Sequence, residues 1–284
     1  MGGVIMLLSK AWEMYRKDKQ LLGFSKYTLK AYGIQATLLI RGIGDKNIEE
    51  VELTDLKEYL LEASEHLKPA SVNHRIRFIR SIFRWAHNEG YLQRNVADRL
   101  RELKEPQRIP KALSEENLEM LREGCKTPRE HALVETFFAS GCRLSELSNL
   151  NKRDINWEKR TFVVTGKGNK ERECYFTVKT AIWLRKYLNS RKDNDPALFV
   201  TERAPHRISP ERIREVIKDI AKRAGIEANV YPHILRHTYA THLLNNGAPL
   251  EVVQEFMGHA KIETTKIYCQ LSGERRRELY RRYM

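Results

Sequence analysis

Residues 231–270 read YPHILRHTYATHLLNNGAPLEVVQEFMGHAKIETTKIYCQ and predict two helices followed by a third, shorter helical pattern. Pro232 has a fixed φ and no N–H, so it suits the first turn of the first helix. The second helix is indicated by apolar side chains between Val252 and Met257. Gly258 follows directly and is placed to end this helix, because glycine tolerates the backbone conformation common just beyond helix ends. The stretch is therefore predicted to be helical, with a sharp break at Gly258.

Four side chains in this stretch can take part in catalysis. His233 and Arg236 lie three residues apart and therefore share one face of the first helix. His259 follows the break, and Tyr268 lies on the short pattern after it. Each has an ordinary explanation, since a histidine near a helix end often caps it and a lone tyrosine is often packed. It is their combination that indicates a site.

The segment GCRLSEL, residues 141–147, adds a second arginine at a junction between helices. One helix is predicted to end near Gly141 and another to begin near Leu144, which leaves Arg143 between them. Such a junction suits a functional group better than core filling. Glu146 is the expected orienting partner of Arg143, and the alternative is an ordinary surface ion pair.

A β-hairpin is the clearest strand signal in the chain. Residues 161–165 are β-branched and apolar, residues 171–177 alternate, and the Gly-rich turn GKGNK joins them at 166–170. No Gly-x-x-x-x-Gly-Lys-Ser/Thr sequence precedes a helix here, so the turn is not that of an NTPase. The hairpin instead suits a basic finger against a polyanion such as a nucleic acid, and the side chains expected on it are Lys167, Lys170 and Arg172.

Together these segments resemble the tyrosine site-specific recombinases of the lambda-integrase-like family, and they are most similar to its Xer-type members. The family pattern is an arginine in Gly-x-Arg-x-x-Glu-Leu, a hairpin lysine, a His-x-x-Arg box, a second histidine and a nucleophilic tyrosine, and all five occur here in that order. The resemblance covers nearly the whole chain and is weakest near the N-terminus. It implies the following catalytic residues: Arg143, Lys167, His233, Arg236, His259 and Tyr268.

The resemblance implies an enzyme that cuts and rejoins DNA strands by transesterification through a 3′-phosphotyrosine, without a metal, ATP or any other cofactor. Guanidiniums are always charged and present paired donors to phosphate oxygens. Arg143 and Arg236 are therefore expected to hold the phosphate, with His259 donating a further hydrogen bond. No group of Asp and Glu accompanies them at metal-binding spacing, so activity is expected in a chelator.

The phenol of Tyr268 is expected to attack this phosphate. A tyrosine has a pKa of about 10 and needs help in losing its proton, and His233 is the candidate base by family analogy. The leaving 5′-oxygen needs a general acid, and Lys167 on the hairpin is the expected one.

Length and charge agree with a DNA-binding enzyme. The chain has 284 residues, a formal net charge of +14 and a pI near 9.6, which allows two domains and indicates a polyanionic partner, here double-stranded DNA. Its four cysteines are scattered, without a Cys-x-x-Cys pair, and are expected to be free thiols in a reducing compartment. The apolar start at Val4–Leu8 is too short for a secretory or membrane-spanning segment, so a cytoplasmic location is expected.

The expected fold is mainly α. Residues 1–103 have helical periodicity throughout and predict an all-α bundle, which the resemblance identifies with a DNA-clasping core-binding domain. Residues 104–112 contain two prolines and many charges and are expected to form a linker. Residues 113–284 are expected to form a C-terminal α+β catalytic domain with a small antiparallel sheet.

The helix predicted over residues 70–87 has two different faces. One is apolar and suits packing within the bundle. The other is a polar stripe whose donors suit phosphates or base edges in a groove, with a solvated face as the alternative. The polar stripe consists of Asn73, Arg77, Arg80 and Arg84.

Other functions are compatible with part of this sequence pattern. A non-catalytic DNA-binding protein would explain the charge but not the combination of catalytic residue types. An integrase or resolvase of a mobile element, or a type IB topoisomerase, would share the chemistry. Many element integrases carry an additional arm-binding domain, and the helical domain here begins almost at Met1. This favours Xer-like resolution of chromosome dimers at a short site with two inverted half-sites.

Strand exchange at such a site needs four protomers. A tetramer of identical or related protomers on DNA is therefore expected, with a monomer or dimer in the free protein. The basic C-terminal tail, residues 272–284, is expected from the resemblance to dock on a neighbouring protomer. The alternative is a frayed basic tail.

Overall fold

The computed structural model describes residues 5–105, 112–166, 171–203, 206–258 and 281. The chain forms two compact units, Met1–Gln107 and Arg108–Met284, each with its own hydrophobic core. Most of the segment expected to be a linker lies outside the described residues. Within the described ranges, no helix is both long and apolar enough to span a lipid bilayer.

The N-terminal unit is an all-α bundle, as predicted. Its helices are α1 (Leu8–Leu21), α2 (Lys26–Ile43), α3 (Leu53–His66) and α4 (Pro69–Asn88), with short 3-10 turns at Ile48–Glu50 and Val96–Arg99. Ser25 starts α2 by accepting a backbone N–H of the first turn (3.1 Å), and Pro69 starts α4, where its missing N–H is not needed. Tyr15 is fully buried against Phe78, and its hydroxyl bonds Oγ of Ser81 (2.7 Å).

The sequence predicted an outward-facing side chain for Asn73, but the structure buries it. The residue is 1% exposed, and its side chain makes two hydrogen bonds with the backbone of Leu103, one donated by Nδ2 (3.0 Å) and one accepted by Oδ1 (2.7 Å). Nδ2 also donates to Oε1 of Glu105 (2.6 Å). The amide is thus occupied in holding the segment after the bundle against α4. This corrects the prediction that Asn73 is a donor to DNA.

The three arginines of the polar stripe lie on the accessible side of α4. Arg77 and Arg84 are exposed, and each has an acidic partner that follows α4 in the chain: Arg77 Nη2 donates to Glu102 Oε2 (2.5 Å), and Arg84 Nη2 lies 3.6 Å from Asp98 Oδ1. Arg80 is half-buried, and its Nε has no hydrogen-bond partner among the described residues. Exposed ion pairs contribute little to stability, so these cations can exchange their carboxylates for phosphates.

Among the described residues, the C-terminal unit contains the helices predicted up to Gly258 and both strands of the predicted hairpin, with a two-residue strand that the sequence did not indicate. The helical pattern predicted around Tyr268 lies outside the described residues. Strands β1 (Ile155–Asn156), β2 (Thr161–Thr165) and β3 (Glu171–Tyr175) form an antiparallel sheet in that order, in which Val164 lies opposite Arg172. The mainly α fold with a small antiparallel sheet is therefore confirmed. The elements are α5 (Glu115–Glu123), α6 (Pro128–Ser140), α7 (Leu144–Asn149), a 3-10 turn (Lys152–Asp154), β1 (Ile155–Asn156), β2 (Thr161–Thr165), β3 (Glu171–Tyr175), α8 (Val178–Ser190), α9 (Pro210–Arg223), α10 (Pro232–Asn245) and α11 (Leu250–Met257).

Polar caps and a buried central helix fix the framework of this unit. Helices α5, α6, α8 and α9 each begin at a side chain that accepts a backbone N–H of the first turn, and these caps are Ser114, Thr127, Thr177 and Ser209. Helix α6 is buried along most of its length, with Leu133 and Phe137 fully enclosed. Because α6 is held so firmly, its C-terminal end is a rigid support for the residues that follow it.

Candidate active site

Helices α6 and α11 of the C-terminal unit each end directly at a glycine in the left-handed conformation. Helix α6 ends at Ser140 with Gly141 at φ 56°, and α11 ends at Met257 with Gly258 at φ 60°. A Cβ on Gly141 would lie 2.2 Å from Cδ1 of Tyr239, so this position requires glycine for two reasons. Both breaks were predicted from the sequence. At each break a backbone carbonyl accepts a hydrogen bond from an arginine side chain.

Arg143 connects the two breaks. It lies at the start of α7, where its backbone N–H donates to Oε2 of Glu146 (2.6 Å) and its Nη1 to Oε1 of Glu146 (2.7 Å). Its Nη2 donates to the carbonyl of Gly258 (2.8 Å). These bonds confirm Glu146 as the orienting partner of Arg143. The Arg143 side chain remains 32% exposed, so a ligand can reach it.

Arg236 bonds the same two breaks from α10. It is 4% exposed, its Nη1 donates to the carbonyl of Gly141, and its Nη2 donates to the carbonyl of Met257. Because Met257 and Gly258 are consecutive, Arg236 and Arg143 bond neighbouring carbonyl groups. The structure thus brings together the two guanidiniums that the sequence predicted to act on one phosphate.

Arg172 on β3 faces inward, which corrects the sequence prediction of a basic finger residue at this position. Its side chain is 13% exposed, its Nη2 donates to Oε2 of Glu146 (2.7 Å), and its Nη1 donates to Sγ of Cys174. The period-two alternation of β3 contained the signal, since Arg172 and the buried Cys174 are two residues apart and share a face.

Arg143, Arg172, Arg236 and Glu146 form a cluster that we call the arginine site. Three guanidiniums and one carboxylate leave two positive charges in excess. Burial, and then the positive charges of Arg143 and Arg172, lower the pKa of Arg236 to about 10. A bound anion would offset this repulsion and accept the exposed donors of Arg143, so the arginine site is suited to an anionic ligand such as a phosphate.

His233 lies on the first turn of α10, one turn before Arg236. Its pKa is lowered, first by loss of solvent around the ring and then by the positive charges of Arg236, Arg214 and Arg143. The imidazole is therefore neutral at pH 7 and able to accept a proton.

The other predicted site residues lie outside the described part of the chain: Lys167, Lys170, His259 and Tyr268. Gly258, whose carbonyl accepts Nη2 of Arg143, is the last described residue before His259. Among the described residues, no group of three or more His, Cys, Asp or Glu could hold a metal ion.

Two cysteines lie next to the arginine site but are unsuited to nucleophilic chemistry. Burial raises the pKa of Cys142 to about 12 and that of Cys174 to about 11. The thiolate is the nucleophilic form of cysteine, and both side chains are protonated free thiols at neutral pH. Their role is packing.

The second histidine of α10 makes the stability of this unit depend on pH. Burial, and then the charges of His233 and Arg236, lower the pKa of His237 from 6.5 to about 4. At pH 5 the unfolded chain therefore binds a proton that the native state does not, and stability falls as the pH drops below about 6.5.

We expect the free energy of unfolding to be lower at pH 5 than at pH 7, with roughly 2 kcal/mol of the loss due to His237. Urea denaturation at the two pH values measures this difference. The His237→Asn variant should lose that part of the pH dependence, whereas His242→Asn, on the exposed side of the same helix, should retain it. Equal pH dependence in wild type and His237→Asn would contradict the assignment.

The sequence model of the phage integrase family matches residues 109–275, which include every member of the arginine site. The chain belongs to this family. It is a tyrosine recombinase, an enzyme that cleaves and rejoins DNA.

Two relatives are similar over nearly the whole of this recombinase. The tyrosine recombinase XerD of Ralstonia nicotianae is 35% identical over 272 residues, which is 91% of this chain and 88% of that protein. The tyrosine recombinase XerC of Oceanobacillus iheyensis is also 35% identical, over 273 residues, 90% of this chain and 89% of that protein. Identity alone therefore does not separate the two types.

Solved structures of lambda integrase share the fold of this recombinase. A lambda integrase dimer bound to a COC′ core site matches with a TM-score of 0.80 at 17% identity, over 94% of this chain and 97% of that one. A lambda integrase tetramer bound to a Holliday junction matches with a TM-score of 0.75 at 18% identity, over 90% of this chain and 78% of that one.

Proposed function

We propose that this recombinase cuts and rejoins DNA at a short site with two inverted half-sites through a 3′-phosphotyrosine, and that it resolves chromosome dimers. The observation that carries the proposal is the arginine site, where Arg143 and Arg236 bond neighbouring carbonyls with positive charge in excess. The Xer relatives, matched over about nine-tenths of the chain, favour a Xer-like substrate over that of a mobile-element integrase.

In the proposed reaction Arg143 and Arg236 of the arginine site hold the non-bridging oxygens of the scissile phosphate. Arg143 uses one hydrogen of Nη1 for Glu146 and one of Nη2 for Gly258, and a guanidinium has five N–H donors. The donors that remain, together with the buried charge of Arg236, stabilise the charge that builds up in the phosphorane transition state. We propose His259 as a further donor, since it follows Gly258 directly.

The covalent step is a transfer of the phosphate from DNA to Tyr268. The phenol oxygen attacks phosphorus, its proton passes to the neutral His233, and the bond to the 5′-oxygen breaks. Lys167 protonates that leaving oxygen. The phosphotyrosine retains the energy of the bond, so the free 5′-hydroxyl of a partner strand can reverse the step without ATP or metal.

Four protomers are needed to exchange two pairs of strands. Lambda integrase of the same fold is found as a dimer on a core site and as a tetramer on a Holliday junction. We therefore propose a tetramer of identical or related protomers on double-stranded DNA, in which the C-terminal tail docks on a neighbour. Action on chromosomal DNA would place the protein in the cytoplasm.

A suicide substrate tests the reaction directly. The substrate is a half-site duplex nicked just 3′ of the scissile phosphate, so that the short 5′-hydroxyl product diffuses away and the covalent complex accumulates. We expect the complex to form in EDTA and the DNA-linked peptide to contain Tyr268. No adduct on any genomic fragment, or an adduct on another residue, would overturn the proposal.

The genomic position of the trapped DNA separates the two recombinase functions. Chromosome dimer resolution predicts that covalent complexes recovered from cells map to one chromosomal site with inverted half-sites. An element integrase would instead be trapped at the ends of a mobile element.

We expect the arginines of the polar stripe to bind phosphates once DNA displaces their acidic partners. Replacing Arg77 and Arg84 with alanine should weaken binding and reduce the slope of log K against log salt by about 0.9 for each phosphate that the variant no longer neutralises. Fluorescence anisotropy over a range of salt concentrations measures the slope. Lys57→Ala, exposed on α3, is the control, and an unchanged slope in the arginine variants would assign Arg77 and Arg84 to the solvated surface.

A further inference from the structure

Glu146 is a buried carboxylate shared by two arginines, of which the proposed reaction uses only one. Its side chain is 2% exposed and accepts three hydrogen bonds. Oε1 accepts Nη1 of Arg143, and Oε2 accepts both the backbone N–H of Arg143 and Nη2 of Arg172. The two oxygens are therefore divided between the two guanidiniums.

This division has a consequence for Arg143. An arginine and a carboxylate that meet alone tend to pair through two parallel N–H···O bonds. Here Oε2 is already occupied, so the guanidinium of Arg143 bonds Glu146 through Nη1 only. The donors that a two-point pair would consume are left for an anion at the exposed side of Arg143.

Arg172 also supports the second partner of Arg143. Cδ and Nε of Arg172 lie over Gly258, each 2.5 Å from the position that a Cβ would take there. The carbonyl of Gly258 is the one that accepts Nη2 of Arg143. The Nε of Arg172 is buried and has no hydrogen-bond partner among the described residues, so this contact is one of shape rather than of hydrogen bonding.

We propose that Arg172 is a positioning residue for catalysis, which keeps Arg143 in a one-point pair with Glu146 and thereby free to bind the scissile phosphate. It acts from strand β3 of the hairpin, at the junction with the helix break at Gly258. The role rests on the proposed function, because it concerns the same phosphate.

The test is a double-mutant cycle measured as single-turnover cleavage of the suicide substrate at saturating enzyme. Arg172→Ala should lower the cleavage rate about 10- to 100-fold, by analogy with residues that orient the ligands of a metal ion, with DNA affinity changed by less than about threefold. In an Arg143→Ala background the same substitution should lower the cleavage rate by less than about threefold, because the guanidinium that Arg172 positions is gone. Arg172→Lys should recover part of the loss, since an ammonium can still occupy Oε2.

Matched variants keep the outcomes distinct. Arg153→Ala, a highly exposed arginine of the same unit, should cleave at the wild-type rate. Equal losses from Arg172→Ala in both backgrounds would show that Arg172 only supports the fold and would overturn the inference. If Arg172→Ala does not fold, the cycle is run with Arg172→Lys and Arg172→Gln. Cleavage by Arg172→Gln at the wild-type rate would also overturn the inference. Failure of the wild-type enzyme to form an adduct would instead overturn the proposed function.

Discussion

Replacing Arg236 with alanine is expected to lower the rate of DNA cleavage by about two to three orders of magnitude, the cost of removing one preorganised donor from a transition state. The side chain is buried and both Nη atoms are fixed by the carbonyls of Gly141 and Met257, so its charge is positioned before the substrate arrives. DNA binding should change much less, because most of the binding energy comes from phosphates elsewhere. Single-turnover cleavage at saturating enzyme separates the two effects.

Two further measurements show whether the loss comes from the charge at the phosphate. Arg236→Lys should also be strongly impaired, because one ammonium cannot reproduce the planar pair of bonds to two carbonyls. A substrate with a neutral methylphosphonate at the scissile position has less charge to stabilise, so the gap between wild type and Arg236→Ala should narrow on it. Arg185→Ala, exposed on α8, serves as the control. A near-wild-type rate in Arg236→Ala would remove Arg236 from the phosphate clamp.

The parts of the site that could be predicted from sequence are those fixed by local chemistry. Gly141 and Gly258 end helices because the left-handed conformation follows each helix, and both signals lie in adjacent residues. Arg143 and Glu146 are three residues apart at a helix start, where side chain and backbone bonds form together. The hairpin follows from two β-prone runs around a Gly-rich turn.

What could not be predicted depends on contacts between distant residues. Helical periodicity predicts an outward face for Asn73, but it cannot supply the partner Leu103, thirty residues along the chain. The charge of Arg172 predicts exposure on a DNA-facing finger, whereas Glu146 compensates that charge inside the unit. A buried arginine is explicable only once its carboxylate is known.

Gly141→Ala is expected to destabilise the C-terminal unit by about 2–5 kcal/mol, from two separate causes. The left-handed conformation costs a non-glycine residue about 1–2 kcal/mol. The new Cβ would also lie 2.2 Å from the ring of Tyr239, and such overpacking typically costs about 1–3 kcal/mol. Relief of the clash would move α10, which carries Arg236, so cleavage should fall together with stability. Urea denaturation and single-turnover cleavage measure the two effects.

A second glycine of the same unit separates the cost of the clash from the cost of the left-handed conformation. Gly225 has a φ of +68°, and a Cβ built there would meet nothing within 4 Å, so Gly225→Ala should lose only the conformational part and should cleave DNA normally. Replacing Tyr239 with leucine in the Gly141→Ala background should restore part of the stability, because the smaller side chain leaves room for the methyl group. Equal stability and equal activity of Gly141→Ala and Gly225→Ala would contradict this prediction. That result would mean that the junction next to Arg143 can make room for a Cβ on Gly141 without a clash with the ring of Tyr239.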